Sequence, residues 1–302
     1  MTSDKAGPRV VALGGGHGLA ATLRAARRYA GDITAIVSVA DDGGSSGRLR
    51  QAFVDIPAPG DLRRCLVALG DSDDVWAQAF EYRFEAGELK GHALGNLILT
   101  GLAASTGDFT TALIEASRLV HAKGRVLPAT EGPVVLKAQV AGETVVGQVR
   151  VQDANGPKSR VELVPADAAP PPEAIEAIRR ADQIILGPGS LYTSVLAAVA
   201  VPAIRDAIAG APQTAQRVYI CNLRPQIPET AGFDAAAHVQ ALRDHGVTVD
   251  VVVHDPAGMA TGSLDMPVIE AAVARPHGLA HDPQLLATVL EQLATNGPDR
   301  LT

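Results

Sequence analysis

The sequence predicts a Rossmann-like α/β fold, a mostly parallel sheet flanked by helices with a small β-rich insertion. Three observations predict it. Short apolar runs end in glycine-rich loops and lead into helical stretches, as at residues 10–13, which are followed by Gly14-Gly15-Gly16-His17-Gly18 and then an Ala/Leu/Arg-rich segment. A β-branched run at 33–39 completes a β-α-β unit, the repeat of a parallel sheet. One stretch, 125–165, leaves that rhythm and alternates apolar with polar residues between Gly142-Glu143 and Asn155-Gly156 turn signals.

In chain order, a helix is expected over 19–29 after the first strand, and a polar glycine loop over 41–47 after the second. Residues 60–70 start with Pro59-Gly60-Asp61 and turn apolar-periodic, which predicts a helix capped near Asp61. Further helices are expected over 74–84, 93–104 and 109–121. The alternating stretch reads as antiparallel hairpins and ends in the Pro-rich run 165–172. A helix over 173–181 and a buried strand over 183–186 restore the α/β pattern. Strands follow at 218–222 and 247–254, and amphipathic helices at 234–245 and 282–294. The 302 residues are expected to form one Rossmann-like domain, with 125–165 as the insertion.

Composition removes several classes of function. Aromatic residues are 3% of the chain, so the core must be built from Ala, Val, Leu and Ile, and stacking platforms for single-stranded nucleic acid are not expected. A net charge of −7 without a dense Lys/Arg run sets nucleic acid aside as a ligand. Cys65 and Cys221 stand in apolar settings outside any metal or redox spacing and read as reduced, packed thiols. Residues 1–8 are polar and resemble no signal peptide, and the most apolar stretch, 195–201, is too short to span a bilayer. A cytoplasmic protein without membrane insertion is expected, and a homo-oligomer is left open.

Five loops are candidates for chemistry. Gly15, Gly16 and Gly18 let the backbone turn sharply and approach a ligand, and amides opening a helix can hold an anion. His17 within that loop is placed either to touch a phosphate or to make a local hydrogen bond. Asp41 and Asp42 follow the second strand, where Rossmann proteins place a carboxylate for a ribose hydroxyl. The pair can take hydroxyls or hold a divalent cation such as Mg²⁺ that bridges phosphates. Gly43, Gly44, Ser45 and Ser46 offer anion contacts, and Arg48 offers a charge. Asp61 is a candidate ligand contact or a plain helix cap. His92 and Asn96, four apart around Gly95, fall on one helix face, and Asn96 suits a base edge or sugar hydroxyl. Gly187, Pro188, Gly189, Ser190 and Thr193 form a second strand-to-helix anion loop, and Asn222 closes another strand facing the same crevice. No nucleophile elbow, zinc spacing or catalytic triad is present in the pattern, and His121, His238, His245 and His254 read as surface or locally satisfied.

Taken together, the runs GGGHGL, DITAIVSVADDGGSSGRLR, APGDLRRCLVAL, GHALGNLIL, ADQIILGPGSLYTSV and VYICNL resemble the YvcK family, also called gluconeogenesis factor, within the wider CofD-like group. The resemblance implies a UDP-sugar ligand, notably UDP-N-acetylglucosamine, and links to gluconeogenic growth, cell shape and peptidoglycan synthesis, with a cell-wall or signalling protein as a partner. It implies no settled reaction. The CofD-like relatives are transferases that move a phospho-acid group from a nucleotide-diphosphate donor, which is the alternative reading. In that case Asp41 or Asp42 would hold Mg²⁺, and Asp61 or His92 would act as base. His17 stands where the family often has Thr. Ala280 stands before His281-Asp282 where a basic residue is expected, with Arg275 as a candidate substitute.

Overall fold

The computed structural model describes residues 7–297. Its main sheet has seven parallel strands in the order β10-β9-β8-β7-β1-β2-β3. These are β1 (Arg9–Gly14), β2 (Asp32–Val37), β3 (Arg125–Pro128), β7 (Gln183–Leu186), β8 (Gln216–Ile220), β9 (Val251–His254) and β10 (Val268–Glu270). A second, antiparallel sheet runs β5-β4-β6, from β4 (Val135–Val140), β5 (Glu143–Val146) and β6 (Lys158–Val164). The expected Rossmann-like α/β architecture is therefore present.

Twelve helices complete the described chain. The first six are α1 (Gly16–Ala26), α2 (Gly44–Ala52), α3 (Pro59–Leu69), α4 (Val75–Glu81), α5 (Leu94–Thr106) and α6 (Phe109–Leu119). Then come α7 (Gln148–Asp153), α8 (Pro172–Arg180), α9 (Leu196–Val199), α10 (Pro202–Ala209), α11 (Ala235–Asp244) and α12 (Pro283–Asn296). A π-helical turn, Leu191–Val195, leads into α9. Helices on both faces leave the central strands buried on each side, which is why β7 is buried throughout and reads Ile-Ile-Leu after Gln183 rather than alternating. Among the described residues no single helix is long and apolar enough to cross a membrane. Both cysteines are free and buried.

The strand order positions the site. The chain lays down β1, β2 and β3 in one direction, then returns beside β1 with β7 and builds the other way. At such a reversal, adjacent loops leave the carboxyl ends of neighbouring strands toward opposite faces and open a crevice. The loops Gly14–Gly18 and Gly187–Ser190 leave β1 and β7, paired through Leu13 and Leu186, at that point. Helix α1 then runs between α3 and α12 and buries Leu19 and Leu23 completely. Each such leucine contributes roughly 1.5–3 kcal/mol of apolar burial.

Several expectations change. Arg125–Pro128 is not part of the β-rich insertion; it is β3, the edge strand of the main sheet, in parallel register with β2 (Ala35 opposite Val126). Its inner residues are buried without alternation, unlike β4, which alternates, and Pro128 is tolerated because an edge strand need not donate on both sides. The insertion also holds a helix, α7, where hairpins were expected, and its tight turn is Ala141-Gly142, both at positive φ. The 41–47 loop is shorter, since Gly44–Gly47 already open α2. Asp61 is no N-cap: Ala58 holds that position, with Pro59 first in the helix. Neither β10 nor α10 was expected, the former because three residues carry little periodicity.

Candidate ligand-binding cleft

Three helices point their N-termini into one cleft of about 470 Å³. They are α1, α2 and α3, and none has a side-chain hydrogen bond at its N-cap. Their first-turn amides therefore carry partial positive charge with few internal partners. Gly16 (φ +66°) opens α1 and Gly44 (φ +47°) opens α2, and a Cβ on either would meet nothing within 4 Å. Those two glycines are demanded by backbone conformation and leave open space in front of the helix ends. Gly18 has a different reason: a Cβ there would lie 2.2 Å from the Pro188 carbonyl oxygen, so the two anion loops touch at that residue.

The cleft wall carries side chains whose hydrogen bonding is incomplete. Asn96, 2% exposed at the start of α5, donates from Nδ2 to Ser45 Oγ at 3.0 Å. Ser45 Oγ lies 3.0 Å from His92 Nδ1. Burial, with Arg48 and Arg83 nearby, pulls His92 below its usual pKa, so the ring is neutral and Ser45 donates to Nδ1. That chain leaves Asn96 Oδ1 without a partner, and Arg63 Nε, also lining the cleft and 2% exposed as a residue, has none either. A buried acceptor and a buried donor left unpaired cost the fold roughly 1–3 kcal/mol each.

Asp41 and Asp61 are the cleft's two carboxylates. Burial pushes Asp61 up, and the Asp41 charge adds to it, while Arg64 (2.8 Å) and the Gly16 amide oppose the shift. Gly15 is required beside this group, because a Cβ there would lie 2.5 Å from Asp61 Oδ2. His17 is pulled down by burial first and by Arg64 second, so at neutral pH it offers an uncharged ring.

The expected site residues divide into three groups. Gly15, Gly16, His17, Gly18, Asp41, Gly43, Gly44, Ser45, Ser46, Asp61, Asn96, Gly189, Ser190 and Thr193 all line this cleft. Pro188 and Asn222 line an adjoining, mainly apolar recess that also touches His17, Gly18 and Gly189. Asn222 does not reach into space: its Oδ1 accepts from Gly189 N (2.9 Å) and its Nδ2 donates to Gly189 O (2.8 Å), so it shapes the second anion loop. Thr193 likewise gives both its amide and hydroxyl to Glu229 Oε1.

Asp42, Arg48, His92 and Gly187 are not on the wall. Asp42 turns away from Asp41 and accepts from the Gln148 and Val149 amides, both at 2.9 Å, capping α7. The expected Asp41–Asp42 cation pair is thereby corrected to Asp41 with Asp61. Asp42→Asn is expected to lower stability by about 1 kcal/mol through the lost cap, readable in a urea melt. Arg48 donates to the Lys90 carbonyl, and His92 precedes α5 rather than sharing its face with Asn96. Gly95 is a packing glycine, since a Cβ there would lie 2.8 Å from Phe80 and 2.9 Å from Arg63.

Sequence reasoning missed Arg63, Arg83, Gln148, Gln152, Ser194 and Gln226, which also line the cleft. Gln148 and Gln152 stand four apart on α7, a helical signal hidden by the Val-rich alternation around them. Among the described residues no group of three or more His, Cys, Asp or Glu side chains is arranged to hold a metal. Ala280 lies in the apolar recess, whereas Arg275 lies in a separate one beside Asp282, so Arg275 does not replace a basic residue at position 280.

Residues 10–284 match the family described as 2-phospho-L-lactate transferase CofD. A gluconeogenesis factor of Halalkalibacterium halodurans is 47% identical over 250 residues, covering 81% of this chain and 77% of that protein. A gluconeogenesis factor of Bacillus subtilis is 47% identical over 240 residues, covering 79% of this chain and 75% of its own. The crystal structure of a UPF0052-family protein from Bacillus halodurans superposes with a TM-score of 0.88 at 39% identity, covering 93% of this chain and 97% of that one.

Proposed function

The chain belongs to the CofD family, on its gluconeogenesis-factor branch, and from that premise we propose that the cleft binds a UDP-sugar, UDP-N-acetylglucosamine or a close relative. The protein would then be a cytoplasmic regulator whose bound state alters a partner in cell-wall synthesis or signalling, linking carbon metabolism to cell shape and peptidoglycan. The observation that carries the reading is the convergence of three helix N-termini without side-chain caps, those of α1, α2 and α3, on one cleft. The open ends of α1 and α2 suit a diphosphate. The recess walled by Pro188, Leu223 and Leu279 suits an uncharged base.

A divalent cation fits beside Asp41 and Asp61, since it would relieve the repulsion that raises Asp61. One or two carboxylates plus ligand phosphates is the donor set Mg²⁺ commonly takes, and its charge would offset that of the diphosphate. One observation favours a second reading, a transferase acting on a nucleotide-diphosphate donor. The raised Asp61 carboxyl, close under the first anion loop, is placed to exchange a proton with an acceptor hydroxyl.

Calorimetry with UDP-N-acetylglucosamine, with and without Mg²⁺, separates these. Ligand at a hundred times its Kd is expected to add about 2.7 kcal/mol of stability and to be recovered unchanged. Asn96→Ala is expected to weaken binding at least tenfold, about 1.4 kcal/mol or more. Undiminished affinity in that variant removes Asn96 from the site. Binding of guanine nucleotides alone, or consumption of the ligand, replaces the regulatory reading with the transferase.

A further inference from the structure

At the other end of α1, about 16 Å from the cleft by helix length, lies a second recess of about 510 Å³. Arg24 enters it from the last turn of α1, Arg27 and Arg28 from the turn that follows, Lys123 from the approach to β3, and Arg275 from the loop before α12. The one acid in its lining, Asp282, directs Oδ1 at the Gln284 and Leu285 amides as the cap of α12. The local balance is thus strongly positive in a chain whose net charge is −7.

Among the described residues Arg24, Arg28 and Arg275 form no ion pair. Arg27 gives one guanidinium nitrogen to the Gly70 carbonyl, but its Nε is buried without a partner. Lys123 is tethered to the Arg27 carbonyl at 3.0 Å, which fixes an ammonium at the rim. Like charges held together around a hollow, with a buried N–H donor left open, are destabilising unless an anion lies among them.

We propose that this recess is a second binding site, for a small phosphorylated anion. Guanidinium forks match phosphoryl oxygens two at a time, and four arginines around one hollow suit a group carrying two or more negative charges. Val67 and Pro283 supply an apolar side against which a carbon skeleton can rest. The limited extent of the basic recess and the net negative charge of the chain favour a small anion over a nucleic-acid backbone, which needs an extended basic stripe. The site does not depend on what the cleft binds.

Titration of the whole protein with inorganic pyrophosphate, and separately with glucose 1-phosphate, tests the site. Calorimetry at low and physiological salt gives affinity, and hydrogen exchange locates the contact. Pyrophosphate is expected to bind and to protect amides at 70–72 and 283–285. Arg24→Glu with Arg275→Glu, both at exposed positions, is expected to weaken binding at least tenfold with a melting temperature of the free protein no lower than wild type. The milder Arg24→Gln with Arg275→Gln serves if the reversed charges disturb folding, with a smaller loss in the same direction. Equal affinity for the two probes means that the phosphoryl group alone is recognised; tighter glucose 1-phosphate means that the carbon skeleton contributes. Absence of pyrophosphate binding overturns the proposal. So does undiminished affinity in both double variants, or protection confined to 15–18, which would place the anion in the cleft.

Discussion

Gly18→Ala is expected to cost the fold about 3 kcal/mol or more and to abolish ligand binding in the cleft. The added Cβ would stand 2.2 Å from Pro188 O, 2.6 Å from Pro188 C and 2.9 Å from Gly189 N. All three atoms are backbone, so no rotamer change relieves the clash. The only escape is to push the Gly187–Ser190 loop off the start of α1. That loop is pinned by Asn222, which holds Gly189 through both its amide and its carbonyl. Separating the loops would therefore break those bonds and widen the gap between the two anion sites. Urea unfolding of Gly18→Ala beside Gly101→Ala provides the contrast. Gly101 is exposed in the middle of α5 with nothing within 4 Å of its Cβ position, so alanine there should stabilise by up to about 1 kcal/mol. A Gly18→Ala midpoint equal to wild type would show that the two loops do not bear on each other.

Acidification from pH 6.5 to about 4 is expected to remove on the order of 5 kcal/mol of stability, well before most carboxylates titrate. Two buried histidines cause it. Burial lowers His238 to about 4, against a partial upward pull from Asp234. Burial likewise lowers His281 to about 4, with the Cys221 carbonyl and Asp255 opposing. In the unfolded chain both take a proton near pH 6.5, whereas in the native protein neither does until the pH approaches 4. Through that window the unfolded state binds more protons, so stability rises with pH and is lost as pH falls. The effect is fully absent above pH 6.5 and complete near the folded values. His17 and His92 are shifted in the same direction and steepen the loss.

The hydrogen bonding explains why these rings resist protonation. His238 Nδ1 lies 2.7 Å from the Tyr219 hydroxyl, which burial keeps un-ionised. Its Nε2 is buried with no partner, so in the charged ring, where both nitrogens carry hydrogen, one N–H would be left without an acceptor. Urea midpoints at pH 7 and pH 4.5 measure the effect. His238→Gln should flatten roughly half of it; an unchanged pH slope in that variant would assign the acid sensitivity elsewhere.

The βαβ order, the strands at β1, β2 and β7, and the glycine loops that follow them were legible because each is a local pattern. Apolar runs, helical periodicity and glycine punctuation depend only on near neighbours in the chain. The same locality explains the misreadings. The Arg125–Pro128 run carries no sign of which sheet it joins, and α7 is masked by valines that suit either element. Asp41 and Asp42 are adjacent in sequence, yet one faces the cleft and the other caps a helix more than a hundred residues away. Asn96 was a candidate from the sequence, but Arg63 joined the cleft wall only once α3 and α5 were placed against each other.

By itself, then, the sequence determined that this chain builds a doubly wound parallel sheet with glycine loops at the ends of its strands. Backbone conformation and hydrophobic periodicity are properties of short segments, so they can be read there. Tertiary structure alone decided which polar groups remain unsatisfied. Asn96 Oδ1 and Arg63 Nε lack partners, while Asn222, Thr193 and Asp42 have theirs. Whether a buried polar atom has a partner is fixed by residues brought from far along the chain, and no local pattern contains that information.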